Sequence, residues 1–129
     1  MNVREWKRIA EREVKRYGER QAYVRGVEDA GGLITERFGE SKRWIGAVDA
    51  VCAYLNRCDP EKERFFRAYY GIGEPRIVRR HDSAVSVAMR LHLSTATMYE
   101  WKSHVLSLVL LAAAQNGLLK PFDEAGAAE

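Results

Sequence analysis

Ser83-Ala84-Val85-Ser86-Val87-Ala88-Met89-Arg90-Leu91-His92-Leu93-Ser94-Thr95-Ala96-Thr97-Met98-Tyr99-Glu100-Trp101-Lys102 has the order that two short crossing helices joined by a turn require. Ala88 is small where a second helix must cross closely, and Leu91 and Leu93 are apolar around the turn. Ser94 is of the type that caps a helix by accepting a bond from one of its free amides. Met98 and Trp101, three positions apart, face inward on the second helix. Their burial leaves Thr95, Ala96, Tyr99, Glu100, Lys102 and Ser103 outside, a mixture able to touch base edges and phosphates in a major groove. The reading is a helix-turn-helix from roughly Ala84 to Ser107.

Downstream, the second helix runs on to about Asn116, where Gly117 is a fitting terminator. Val105, Leu106, Leu108, Val109, Leu110, Leu111 and the alanines from Ala112 to Ala114 make it apolar nearly all round. Its second face must be covered, either by the N-terminal helices or by another copy. The expectation is a homodimer through this helix, which would also set two reading helices on successive half-sites. Asp123 to Glu129 reads as a disordered acidic tail.

Upstream, Asp82 and Ser83 are cap types ahead of the apolar positions Val85, Val87, Ala88 and Leu91. Before them Gly73-Glu74-Pro75 breaks any helix, and Arg76, Arg79, Arg80 and His81 make Ile72 to Asp82 a basic loop. Asp59-Pro60-Glu61 reads as a helix start, with a capping acid, a proline at the first position and a carboxylate at the positive end of the dipole. That helix carries Phe65, Phe66, Tyr69 and Tyr70 and ends at Gly71. Trp44, Ile45, Val48, Val51, Cys52 and Leu55 form one stripe of a helix starting near Glu40 or Ser41 and stopping around Cys58. Gly18, Gly26 and Gly31-Gly32 make Glu19 to Gly32 either a poorer helix or a linker. From Val3 to about Arg20, Trp6, Ile9, Ala10, Val14 and Tyr17 recur at helical spacing, with Arg4, Lys7, Arg8, Arg12, Lys15 and Arg16 on the other faces. A solvated basic face over a packed stripe is the default there; contact with DNA or RNA polymerase is the alternative.

With 129 residues there is room for one domain, and 47% hydrophobic against 30% charged residues is a globular balance, not a disordered one. No run approaches the roughly 18 apolar residues of a membrane span, and the start lacks a signal-peptide stretch, so a cytoplasmic location without membrane contact is expected. Cys52 and Cys58 are not spaced as a metal pair and read as reduced packing thiols. His81, His92 and His104 carry no zinc spacing either, so neither metal nor cofactor is expected. Phosphate-cradling glycine motifs, metal helices and nucleophile–base pairs are missing, which argues against an enzyme. The formal charge of +3 suits a polyanion without establishing one.

The order of elements resembles the helix-turn-helix of sigma-factor region 4 and, more closely, phage late-gene transcriptional regulators of the RinA and ArpU type. The likeness covers about Val48 to Val109. It rests on the helix start Leu55-Asn56-Arg57-Cys58-Asp59-Pro60-Glu61-Lys62-Glu63-Arg64, the tyrosine-rich end Arg67-Ala68-Tyr69-Tyr70, a small-residue helix, and a recognition helix of the pattern Ser-x-x-Thr-hydrophobe-Tyr. His92 stands where the turn commonly has glycine, and Gly71 to Asp82 is longer and more basic than the usual connection. The resemblance implies base contacts from Thr95, Ala96, Tyr99, Glu100 and Ser103. Phosphate contacts are expected from Arg76, Arg79, Arg80, Ser94 and Lys102.

The expectation is thus an all-α helical bundle with a C-terminal helix-turn-helix and a long last helix. It forms one domain over residues 1–122, with N-terminal helices in 1–58 and the region-4-like part in 59–117. Its function would be sequence-specific binding of double-stranded DNA to regulate transcription, in a phage or prophage setting, with RNA polymerase as a further partner. The rivals are a phage DNA-packaging small subunit, which also uses such a unit, and a helical protein that acts on RNA polymerase without touching DNA.

Overall fold

A computed structural model describes residues 2–119; the acidic tail expected at Asp123 to Glu129 lies outside them. The described residues form six α-helices and no strand. These are α1 (Val3–Lys15), α2 (Tyr17–Asp29), α3 (Glu36–Cys58), α4 (Pro60–Tyr70), α5 (Ala84–Arg90) and α6 (Thr95–Gln115).

The first expectation to be corrected is a continuous helix from Val3 to about Arg20. The chain turns at Arg16, which sits at φ −90° and ψ 5°, and α2 starts at Tyr17. In a straight helix Glu13 and Arg20 would stand about 10 Å apart along the axis. The bend brings them together as a buried ion pair, and Arg20 also donates to Ser41 Oγ on α3 at 3.0 Å. The ambiguous stretch after it is a helix as far as Asp29.

The second correction concerns α3. α3 starts at Glu36 and not near Ser41, because Thr35 is the cap, its Oγ1 accepting from the Phe38 amide at 3.2 Å. Ser41 is instead buried in the second turn, holding Arg20. From there Trp44, Val48, Val51, Cys52 and Leu55 line the buried face of α3, and Tyr17 reaches across from α2 to donate to Asp49 at 2.6 Å. Burial, reinforced by that acceptor, pushes the Tyr17 phenol up and keeps it protonated. Of the two cysteines, Cys52 is buried and Cys58 is exposed at the end of α3.

α4 follows the sequence closely. Asp59 Oδ1 accepts from the Lys62 amide at 3.2 Å, Pro60 opens the helix, and Gly71 closes it at φ 72°. That left-handed residue lets the Ile72 amide return to the Arg67 carbonyl at 2.9 Å, which drives Ile72 wholly into the core. A side chain on Gly71 would also press on Arg76 Cβ at 3.1 Å.

One hydrophobic core runs from Ala10 to Leu119 and takes in Phe66, Val87, Met98, Val105 and Val109. α6 crosses its centre, packed against α3, α1 and α4. The two-sided apolar character of α6 is therefore met within the chain: Val105, Leu106, Val109 and Ala113 are buried, and Leu111 is its exposed leucine. The fold does not need a second copy to cover this helix.

Candidate nucleic-acid interface

α5 begins at a capping serine, Ser83, whose Oγ accepts from the Ser86 amide at 3.1 Å. Val87 and Ala88 face the core, whereas Val85, another apolar position of the helix, is exposed together with Met89. The helix closes with two backbone bonds, His92 to the Met89 carbonyl at 3.1 Å and Leu93 to the Ala88 carbonyl at 3.0 Å. This double return requires a left-handed residue between them, and His92 adopts it at φ 56°. A side chain in that region costs roughly 1–2 kcal/mol relative to ordinary backbone. The expectation that His92 replaces the usual glycine of the turn matches this backbone. Ser94 then caps α6, its Oγ accepting from the Thr97 amide at 3.0 Å.

Met98 is fully buried, and Trp101 is half-buried, edge-on to Phe65 at 5.8 Å. With these anchors in place, Ala96, Tyr99, Glu100 and Ser103 are exposed along the first turns of α6, and Thr95 is half-buried at their edge. Five residues expected to read bases therefore lie on one helix end. Ser94 is exposed, its hydroxyl held by the cap and by Thr97 Oγ1 at 2.8 Å.

Lys102 departs from expectation. Its Nζ lies 3.1 Å from Glu11 Oε2 and 5.6 Å from the centre of the Tyr69 ring, and Tyr70 donates its hydroxyl to the same carboxylate at 2.7 Å. Burial alone would raise the Glu11 carboxyl. The hydrogen bonds from Tyr70 and Lys102 and the charges of Lys102 and Lys15 outweigh that and hold it below its usual range. Lys102 thus fastens α1 to α4 and α6, and its charge is neutralised within the fold instead of pointing at a phosphate. Its partner lies in another helix far along the chain, beyond the reach of any local pattern around Lys102. Tyr70 is likewise held protonated by burial and by Glu11.

The segment expected to be a basic loop is a built arm. Ile72 is buried, the Ile77 amide donates to the Ala68 carbonyl at 2.8 Å, and Val78 packs on the core. Asp82 takes a two-pronged bond from Arg90 at 2.6 and 2.8 Å and accepts from the Arg79 amide at 2.6 Å. The Arg90 bonds, followed by the Arg79 amide, lower the Asp82 carboxyl to about 2, so it stays ionised at neutral pH. Arg90 therefore ties α5 to the arm, a role the sequence did not single out. Arg76, Arg79 and Arg80 remain exposed, and none has an acidic side chain in ion-pair range among the described residues.

The three histidines are apart in role. His92 makes the turn, His81 is exposed on the arm, and His104 Nδ1 lies 2.9 Å from Lys62 Nζ on α4. Partial burial, aided by the Lys62 charge, lowers the His104 pKa. No group of three His, Cys, Asp or Glu side chains that could hold a metal occurs among the described residues, and no helix there is long and apolar enough to cross a membrane. No family model, curated protein or solved structure matches the chain. The resemblance to late-gene regulators therefore rests on the residues quoted for it.

Proposed function

We propose that the chain binds double-stranded DNA sequence-specifically through the amino-terminal half of α6, acting as a transcriptional regulator. The observation that carries this is one flank of chemistry: a rigidly capped helix end exposes Ala96, Tyr99, Glu100 and Ser103 beside an arm of unpaired arginines. The helix end supplies groups for base edges, and Arg76, Arg79 and Arg80 supply the charge that fixes register on phosphates. Transcription as the process served is inferred from the likeness to late-gene regulators, with RNA polymerase as a second partner. A homodimer would double the site, though α1 and α3 already cover α6.

The test is the variant Thr95→Ala with Tyr99→Ala, measured by selection from a random duplex pool. Neither residue belongs to the buried core, so thermal unfolding should be little altered. Discrimination at the base pairs these side chains read should relax by about 1–3 kcal/mol each. An unchanged selected sequence would remove these residues from base reading.

A further inference from the structure

We infer that the basic flank of α1, formed by Arg4, Lys7, Arg8 and Lys15, is a second phosphate-contacting surface that continues the track of the arginine arm along the same edge of α6. The inference rests on the DNA-binding reading above and adds to it a helix that the turn motif does not include.

The first observation is placement. Lys7 Nζ donates to Ser103 Oγ at 2.9 Å, and Glu11, one turn later, is bonded to Lys102. Lys7 and Glu11 thus mark the side of α1 that faces α6. At 100° per residue, Arg4, Lys15 and Arg8 lie the next step round from that side, turned outward beside the exposed stripe of α6. All three are exposed. The arm reaches the same edge of α6 higher up, where Val78 and Ser83 share a small cavity with Tyr99 and Lys102. The arm and α1 therefore border one edge of the reading face in succession, which is how one phosphate strand would run past it.

The second observation is charge. Arg4 and Arg8 are four apart on a helix, a like-charge arrangement that disfavours the free helix. Three arginines at the α1–α2 junction are compensated: Arg12, Arg16 and Arg20 all meet Glu13. Arg4, Lys7, Arg8 and Lys15 have no carboxylate in ion-pair range among the described residues, though the Lys15 charge acts at longer range on Glu11 one turn away. A polyanion laid along the strip would supply the missing counter-charge.

The test compares the whole protein with three variants, using a 30-base-pair duplex of mixed sequence and a titration of potassium chloride. Arg4→Gln with Arg8→Gln and Lys15→Gln should flatten the plot of log affinity against log salt by about 0.9 for each phosphate no longer neutralised, so by about 2–3. Arg79→Gln with Arg80→Gln should flatten it by about 2 through the arm. Arg25→Gln with Lys42→Gln, on the exposed α2–α3 face, removes a similar charge and should leave the slope unchanged. A slope unaltered in the α1 variant but reduced in the arm variant overturns the α1 surface and leaves the DNA-binding reading standing. Equal flattening in the α2–α3 variant also overturns it, since overall charge would then be the cause. Absence of salt-sensitive duplex binding by the unaltered protein overturns both.

Discussion

Glu13→Ala should lower the stability of the protein by about 3–5 kcal/mol, the range found when one partner of a buried ion pair is removed. Glu13 is 5% exposed and its carboxylate gathers Arg12, Arg16 and Arg20. Arg20 is equally buried, and its Nε has no hydrogen-bond partner among the described residues. Without Glu13 its guanidinium would keep only Ser41 and the more distant, half-exposed Glu40 at 3.7 Å. A chain of this size should then melt on the order of 10–20 °C lower. Glu13→Leu together with Arg20→Met should recover most of the loss, because an apolar pair of similar volume leaves no buried charge. The ion pair sets the bend between α1 and α2, so its loss should also loosen α1 from its place beside α6. Thermal unfolding followed by circular dichroism checks both variants; a single substitution within about 1 kcal/mol of the parent would deny the pair its structural role.

The second large effect is on binding. Raising salt from 50 to 200 mM should weaken duplex affinity by about a thousandfold, as expected for a protein that neutralises about six phosphates. The net charge is only +3, so a dependence this steep cannot come from the overall balance. It requires cations gathered on one edge, and three on the arm plus four along α1 provide them, none with an acidic partner in ion-pair range among the described residues. Four carboxylates are meanwhile paired within the fold: Glu11 holds Lys102 and Tyr70, Glu13 holds Arg20, Asp82 holds Arg90, and Glu63 holds Arg67. These carboxylates are occupied by other partners and leave the cations of the arm and of α1 outside ion-pair range. Fluorescence anisotropy across the salt range measures this directly, and a drop of about tenfold or less would mean one or two phosphate contacts at most.

The parts of this fold that could be read from the sequence are those fixed by neighbours in the chain. Asp59-Pro60, Gly71, Ser83, Ser94 and Gly117 each act within four or five residues of themselves, and each begins or ends a helix where its chemistry predicts. His92 belongs with them, since the closing bonds of α5 dictate its left-handed backbone. Most of the remaining features are settled between distant segments. The break at Arg16 goes with Arg20 meeting Glu13 and Ser41 across three helices, whereas the early start of α3 rests on a local cap, Thr35, that the apolar stripe from Trp44 onward does not point to. Lys102 has the position of a phosphate contact on its own helix, and only the arrival of α1 turns it toward Glu11. Val85 follows the apolar pattern of α5, yet the helix turns Val87 and Ala88 to the core instead. The covering of α6 is undecided at the level of sequence for the same reason. Which face α1 chooses is a tertiary question, and α1 with α3 supplies the answer.

The central claim is that the first turns of α6 lie in a major groove, and the groove itself can be probed. Dimethyl sulfate methylates guanine N7, an atom that only the major groove exposes. On a duplex selected for binding, the protein should protect guanine N7 atoms within about half a helical turn, and Thr95→Ala with Tyr99→Ala should restore their reactivity at equal occupancy. N7 reactivity that stays unchanged along a fully bound duplex, with protection confined to the minor-groove edge or to the phosphates, would contradict the account.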